Sequence, residues 1–165
     1  MPYMQNIAKP LTESGLIAPE SIKGCTPQEV DSLMEAQHVS HIPESYREFL
    51  LFGGRDPYWL NRGGEWDYDW LLEGKEIARE IVEDDHHEDF TPFAESFVFQ
   101  THQGYMFNFF RHEDLQDPDP HFWIYTAGRP LRKSTVRFTS WIKVLAEELP
   151  QAIELRNRMH RGSDK

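Results

Sequence analysis

The sequence predicts a single α+β domain, with helices toward both ends of the chain and a mostly antiparallel sheet between them. Three observations carry this reading. Apolar residues recur with helical spacing up to about residue 50 and again beyond residue 139, whereas between residues 97 and 138 short aromatic and β-branched runs are bounded by turn residues. The 165-residue length suits one ordinary domain. Aromatic residues make up 13% of the chain, which marks a sequence with enough bulk to build a core despite its high charge.

Residues 1–23 show weak periodicity and read as an arm or weak helix. The first firm signal is Gly24-Cys25-Thr26-Pro27-Gln28-Glu29-Val30. Thr26 suits an N-cap, Pro27 the first helical position and Glu29 the third, a capping box. Val30, Leu33, Met34 and Gln37 follow at i, i+3, i+4 and i+7, so a helix is expected from Pro27 to about Gln37. Ile42-Pro43 breaks the chain. Glu44 and Ser45 open a second helix, Tyr46, Phe49 and Leu50 share one face, and Gly53-Gly54 ends it.

Trp66, Tyr68 and Trp70 alternate with Glu65, Asp67 and Asp69, which predicts a half-buried strand with one aromatic face and one row of carboxylates. Leu72 to Val82 reads as a helix with Ile77, Ala78 and Ile81 inward. It ends in the loop Glu83-Asp84-Asp85-His86-His87-Glu88-Asp89. Runs from Phe97 to Gln100 and from Tyr105 to Phe110 predict a hairpin turning near Gly104. Asp117-Pro118-Asp119-Pro120 is a loop, because proline lacks the amide that a ladder requires. His121–Thr126 and Leu131–Phe138 are the remaining strands. Thr139 is expected to cap a last helix with Trp141, Val144, Leu145 and Leu149 inward. Pro150 is expected to interrupt it, leaving 151–165 as a helix extension and basic tail.

Charge narrows the function classes. Lys plus Arg number 17 against 28 Asp plus Glu, a net charge of −11. Such a surface opposes nucleic-acid phosphates and anionic membranes. The excess is local. Residues 65–95 hold twelve acids and two bases, while residues 128–165 hold nine bases and four acids. One cysteine excludes an internal disulfide framework, no apolar run is long enough to span a bilayer, and no export signal is visible, so a cytoplasmic location is expected.

Several segments taken together resemble the SUKH superfamily, of the Smi/Knr type. The opening Gly24-Cys25-Thr26-Pro27-Gln28-Glu29-Val30, then Ile42-Pro43-Glu44-Ser45-Tyr46-Arg47-Glu48-Phe49-Leu50 and Gly53-Gly54, is similar to the start of that fold. His102-Gln103-Gly104-Tyr105-Met106-Phe107, Asp117-Pro118 and Trp123-Ile124-Tyr125 look like its hairpin and following strand, and Phe138 through Trp141-Ile142 like the start of its last helix. Ile42 stands where Leu is usual, and Trp141-Ile142 where Phe-Leu is commoner. The resemblance runs over residues 24–149, so 24–150 is expected to be the SUKH-like domain. It implies a non-enzymatic binding protein with no catalytic residues and no cofactor. Bacterial members are regarded as immunity proteins that neutralise a toxin domain, often a nuclease, by direct binding. The alternative is a regulatory scaffold of the Smi/Knr type that recruits a cellular partner.

The residues expected to meet a basic toxin domain are Glu65, Asp67, Asp69, Asp84, Asp85 and Asp89, with Trp66 or Trp70 as an aromatic anchor. Carboxylates speed association with a cationic cleft, and tryptophan is enriched among interface hot spots. Each has a plainer role available: the acids as a solvated face, the tryptophans, including Trp59, as packing against the sheet. The loop acids with His86, His87, His102, His112 and His121 offer donors for a metal-dependent hydrolase. However, adjacent loop histidines lack the i, i+4 spacing of a helical site, and no metal is assigned. Cys25, beside a helix N-terminus, has a position where the dipole lowers a thiol pKa, but no neighbouring base accompanies it.

Overall fold

The computed structural model describes residues 2–163. Residues 1, 164 and 165, which belong to the expected arm and tail, lie outside the described residues. Helix α1 (Tyr3–Glu13) places Met4, Ala8 and Leu11 on one buried stripe. Its first turn is held from outside: the Met4 amide donates to Glu48 Oε2 at 3.0 Å, and the Tyr3 hydroxyl to the Ser45 carbonyl at 2.7 Å. A short stripe interrupted by Pro10 is weak as a sequence signal, and tertiary contacts supply the rest.

Helix α2 (Pro27–Ala36) carries the expected capping box. The Glu29 amide donates to Thr26 Oγ1 at 3.1 Å, and the Thr26 amide to Glu29 Oε1 at 2.9 Å. Helix α3 (Glu44–Gly53) buries Tyr46, Phe49 and Leu50. The chain just before α2 runs close against α3. A Cβ on Gly24 would stand 1.9 Å from the Leu51 carbonyl oxygen, so glycine is required there.

The sheet is an antiparallel meander in the order β1 (Phe97–His102), β2 (Met106–Phe110), β3 (His121–Thr126) and β4 (Arg132–Arg137). A register shift between Val98 and Gln100 accommodates Phe99. Phe97, Phe99, Phe110 and Phe122 then join Tyr46, Phe49 and Phe138 in the larger core, beneath α1, α2, α3 and α6 (Phe138–Ser163). The other face of the sheet presents Val98, Phe107, Phe109 and Tyr125. It is covered by Ala78, Ile81, Val82, Phe90 and Phe93 in a second, separate cluster. The molecule is therefore layered: helices, sheet, and a thinner acidic layer.

Four expectations are corrected. Residues 66–70 do not form a strand. Only Glu65 pairs with β1, in a single bridge to Thr101, and Tyr68–Leu71 is a short helix, α4. Asp67 accepts from the Trp70 amide at 3.2 Å and so starts a helical turn inside what looked like an alternating strand. The following helix is also shorter and less regular than 72–82: α5 spans Gly74–Arg79 and passes into a π-helical segment, Glu80–Asp85. Finally, Pro150 does not interrupt α6, which continues through it to Ser163. The residue that closes the start of α6 is Asp119, which accepts from the Thr139 amide at 3.0 Å and from the Thr139 hydroxyl at 2.6 Å.

Candidate protein-interaction surface

Gln37 anchors the acidic layer to the sheet. Fully buried, its side-chain amide donates to the carbonyls of Val98 (2.8 Å) and Leu71 (3.0 Å), and its oxygen accepts from the Val98 amide (2.8 Å). One side chain thus pairs with β1 as a neighbouring strand would. Next to it, the Lys75 ammonium donates to the carbonyls of Gln37 and of Ala94. Burial pulls this lysine down to about 8, against a smaller opposing effect of Glu95.

From there α5, the π-helical segment and the loop that follows lay a run of carboxylates toward solvent. Glu76, Glu80, Asp84, Asp85, Glu88 and Asp89 are exposed. Residues 65–95 contain only two cations, and both are engaged. Lys75 is bound to carbonyls. Arg79 is held by Glu76 at 2.7 Å, Glu83 at 3.2 Å and Asp84 at 3.6 Å. The hydrogen bond from Arg79 holds Glu76 below its ordinary value, and the same bonds hold the guanidinium above its own. Asp89 accepts from the amide and hydroxyl of Thr91, which lower its pKa and leave its outer oxygen facing water.

The predicted residues thus fall into two groups, separated along the chain by α5 and the start of the π-helical segment. Asp84, Asp85 and Asp89 lie at the loop end. Glu65, Asp67, Asp69 and Trp70 lie at the other, beside β1. In this second group much of the chemistry is spent on the fold. Asp67 accepts the Tyr58 hydroxyl at 2.7 Å as well as capping α4, and Glu65 is fixed in its bridge to Thr101. Asp69 is open to solvent, with Arg55 at 3.9 Å.

The tryptophans separate cleanly. Trp66, 1% exposed, stacks on Phe49 with ring centroids 5.1 Å apart and donates to the Asn61 carbonyl, so it is core and not an interface anchor. Trp59 is likewise buried, donating to the Gly53 carbonyl. Trp70, 39% exposed, is held by a 2.9 Å hydrogen bond to the Thr101 hydroxyl and remains available. Glu76 and Glu80 are not singled out by the sequence, and Glu88 only among the loop acids weighed as metal donors. The signal for them was the charge count over residues 65–95, and local helix geometry decides which of those acids point outward.

The chemistry-bearing alternatives fare differently from their sequence promise. Cys25 is buried, and burial, followed by Glu29, pushes its thiol up to about 12, so the helix N-terminus does not activate it. Among the described residues no three His, Cys, Asp or Glu side chains are grouped as a metal site would require. No described helix is long and apolar enough to cross a membrane. Comparison with protein-family models, curated proteins and solved structures finds no match to this chain.

Proposed function

We propose that this chain is a non-catalytic binding protein of the immunity type, which neutralises a basic toxin domain by covering its cationic cleft. One observation carries the reading. A single layer, α5 through the loop at Asp89, turns a dense row of carboxylates outward while its only two cations are consumed internally. An uncompensated field of this kind steers a positive partner into contact and is of no use against phosphates. The SUKH resemblance supplies the toxin as partner class, and Trp70 and Asp69 extend the surface at the β1 end.

The test is coexpression with the product of the neighbouring gene, where an immunity protein's toxin is expected. The reading requires a stoichiometric complex, relief of toxicity, and an association rate that falls steeply with added salt. Reversing Asp84→Lys together with Asp85→Lys should slow association by at least ~10-fold while leaving the fold intact. Unchanged rates would remove this surface from the account. A neighbour that forms no complex, or substrate turnover by the purified protein, would overturn the function.

A further inference from the structure

Helices α1 and α6 meet along a groove of about 520 Å³. That size suits a small ligand, and the floor is predominantly apolar, with Ile7, Pro10 and Leu11 from α1 and Ala146 and Pro150 from α6. Each helix carries one internal proline, and both prolines line this groove. Proline has no amide to give to the carbonyl four residues back. The two carbonyls left without that donor belong to Asn6 and Ala146, which line the groove as well. Two backbone acceptors deprived of their helical donors thus sit beside one apolar surface.

The rim adds one charge of each sign. Lys143 and Glu147, one turn apart on α6, are both exposed at the groove, and neither has an ion-pair or hydrogen-bond partner among the described residues. A purely anionic ligand would meet this single cation against Glu147 and against two further acids near Tyr3. Burial, then those acids, Glu48 and Asp119, hold the Tyr3 hydroxyl well above its ordinary pKa. The Thr139 hydroxyl is already donated to Asp119, so it offers an anion nothing. A purely cationic ligand would be opposed by Lys143. Only a molecule carrying both charges satisfies the rim.

We infer that this groove is a binding site for an apolar α-amino acid in its zwitterionic form. The ligand's carboxylate pairs with Lys143 and accepts from the Ser140 hydroxyl. Its ammonium donates to Glu147 and to the Asn6 and Ala146 carbonyls, and its side chain covers Ile7, Pro10 and Leu11. Leu11 and Ala146 belong to the larger core cluster, whereas the carboxylate layer covers the other face of the sheet. The site is therefore independent of that layer and stands whether or not the layer meets a toxin.

The experiment titrates the full chain with L-phenylalanine and follows amide NMR shifts, which should saturate and concentrate at residues 6–11 and 140–147. Phenylpropanoate, which lacks the ammonium, and phenethylamine, which lacks the carboxylate, should each bind at least ~5-fold more weakly. Glu147→Gln should shrink the preference over phenylpropanoate, and Lys143→Gln the preference over phenethylamine. Both side chains are exposed, so the circular dichroism spectrum should not change. Pro150→Ala, which gives the Ala146 carbonyl a helical donor, should weaken phenylalanine binding without touching either charge. The inference is overturned by any of three results: no saturable shifts at these amides, an analogue that binds as tightly as phenylalanine, or a charge variant that leaves its preference unchanged.

Discussion

At the scale of single residues, the side chain with the largest structural consequence is Gln37. Sequence periodicity puts it on the inward stripe of its helix, but nothing in the pattern says that its amide will stand in for a strand. Replacing it by Leu strands the Val98 amide and carbonyl in an apolar setting, so Gln37→Leu should cost about 3 kcal/mol, read as a lower urea midpoint. Lys75 makes a second prediction, through pH. Its folded pKa of about 8 lies below the roughly 10.4 of an unfolded lysine, so between these values the unfolded chain binds more protons. Its contribution to stability therefore rises with pH across that window. The difference in urea midpoint between the wild type and Lys75→Met, followed from pH 7.5 to about 9.5, isolates it from the tyrosines and from Cys25. Trp66 and Trp70 show where local reading stops. Two tryptophans four residues apart flank the same capped turn, and only the packed structure decides that one stacks on Phe49 and the other stays half open.

Elements were legible where the chain announces its own boundaries. The Thr26–Glu29 box, Pro43 before α3, the turn at Gly104 and the Asp117–Pro120 loop all act within a few residues, and each lies where expected. Thr26→Ala should cost about 1 kcal/mol, measurable as a shift in thermal or urea midpoint. The misread segment, 66–70, failed for a physical reason: five residues of alternation are too few to separate a strand from a capped helical turn with a buried ring on either side. Pro150 failed in the opposite direction. Leu145, Ala146 and Leu149 pack the helix on one side of it, and that packing outweighs the lost hydrogen bond. Because the Ala146 carbonyl loses its helical partner there, Pro150→Ala should slow amide exchange beyond residue 150 by roughly tenfold, about 1.4 kcal/mol of local stability.

For the molecule as a whole, charge segregation was the most readable property. The acids of residues 65–95 are contiguous in sequence and form one layer, so a count along the chain is already a map. Overall stability should fall as pH drops through the carboxylate range, because Glu29, Glu76 and Asp89 are all held below their ordinary values. Acid titration monitored by tryptophan fluorescence would trace that loss. The division of the core into two clusters has a further consequence. Among the described residues the smaller one beneath the carboxylates is the apolar attachment of its layer, so that layer is expected to open as a cooperative unit while the main body remains intact. A ligand gripping it from outside would act as a latch, and residues 74–93 would then gain protection from deuterium exchange out of proportion to the rest of the chain.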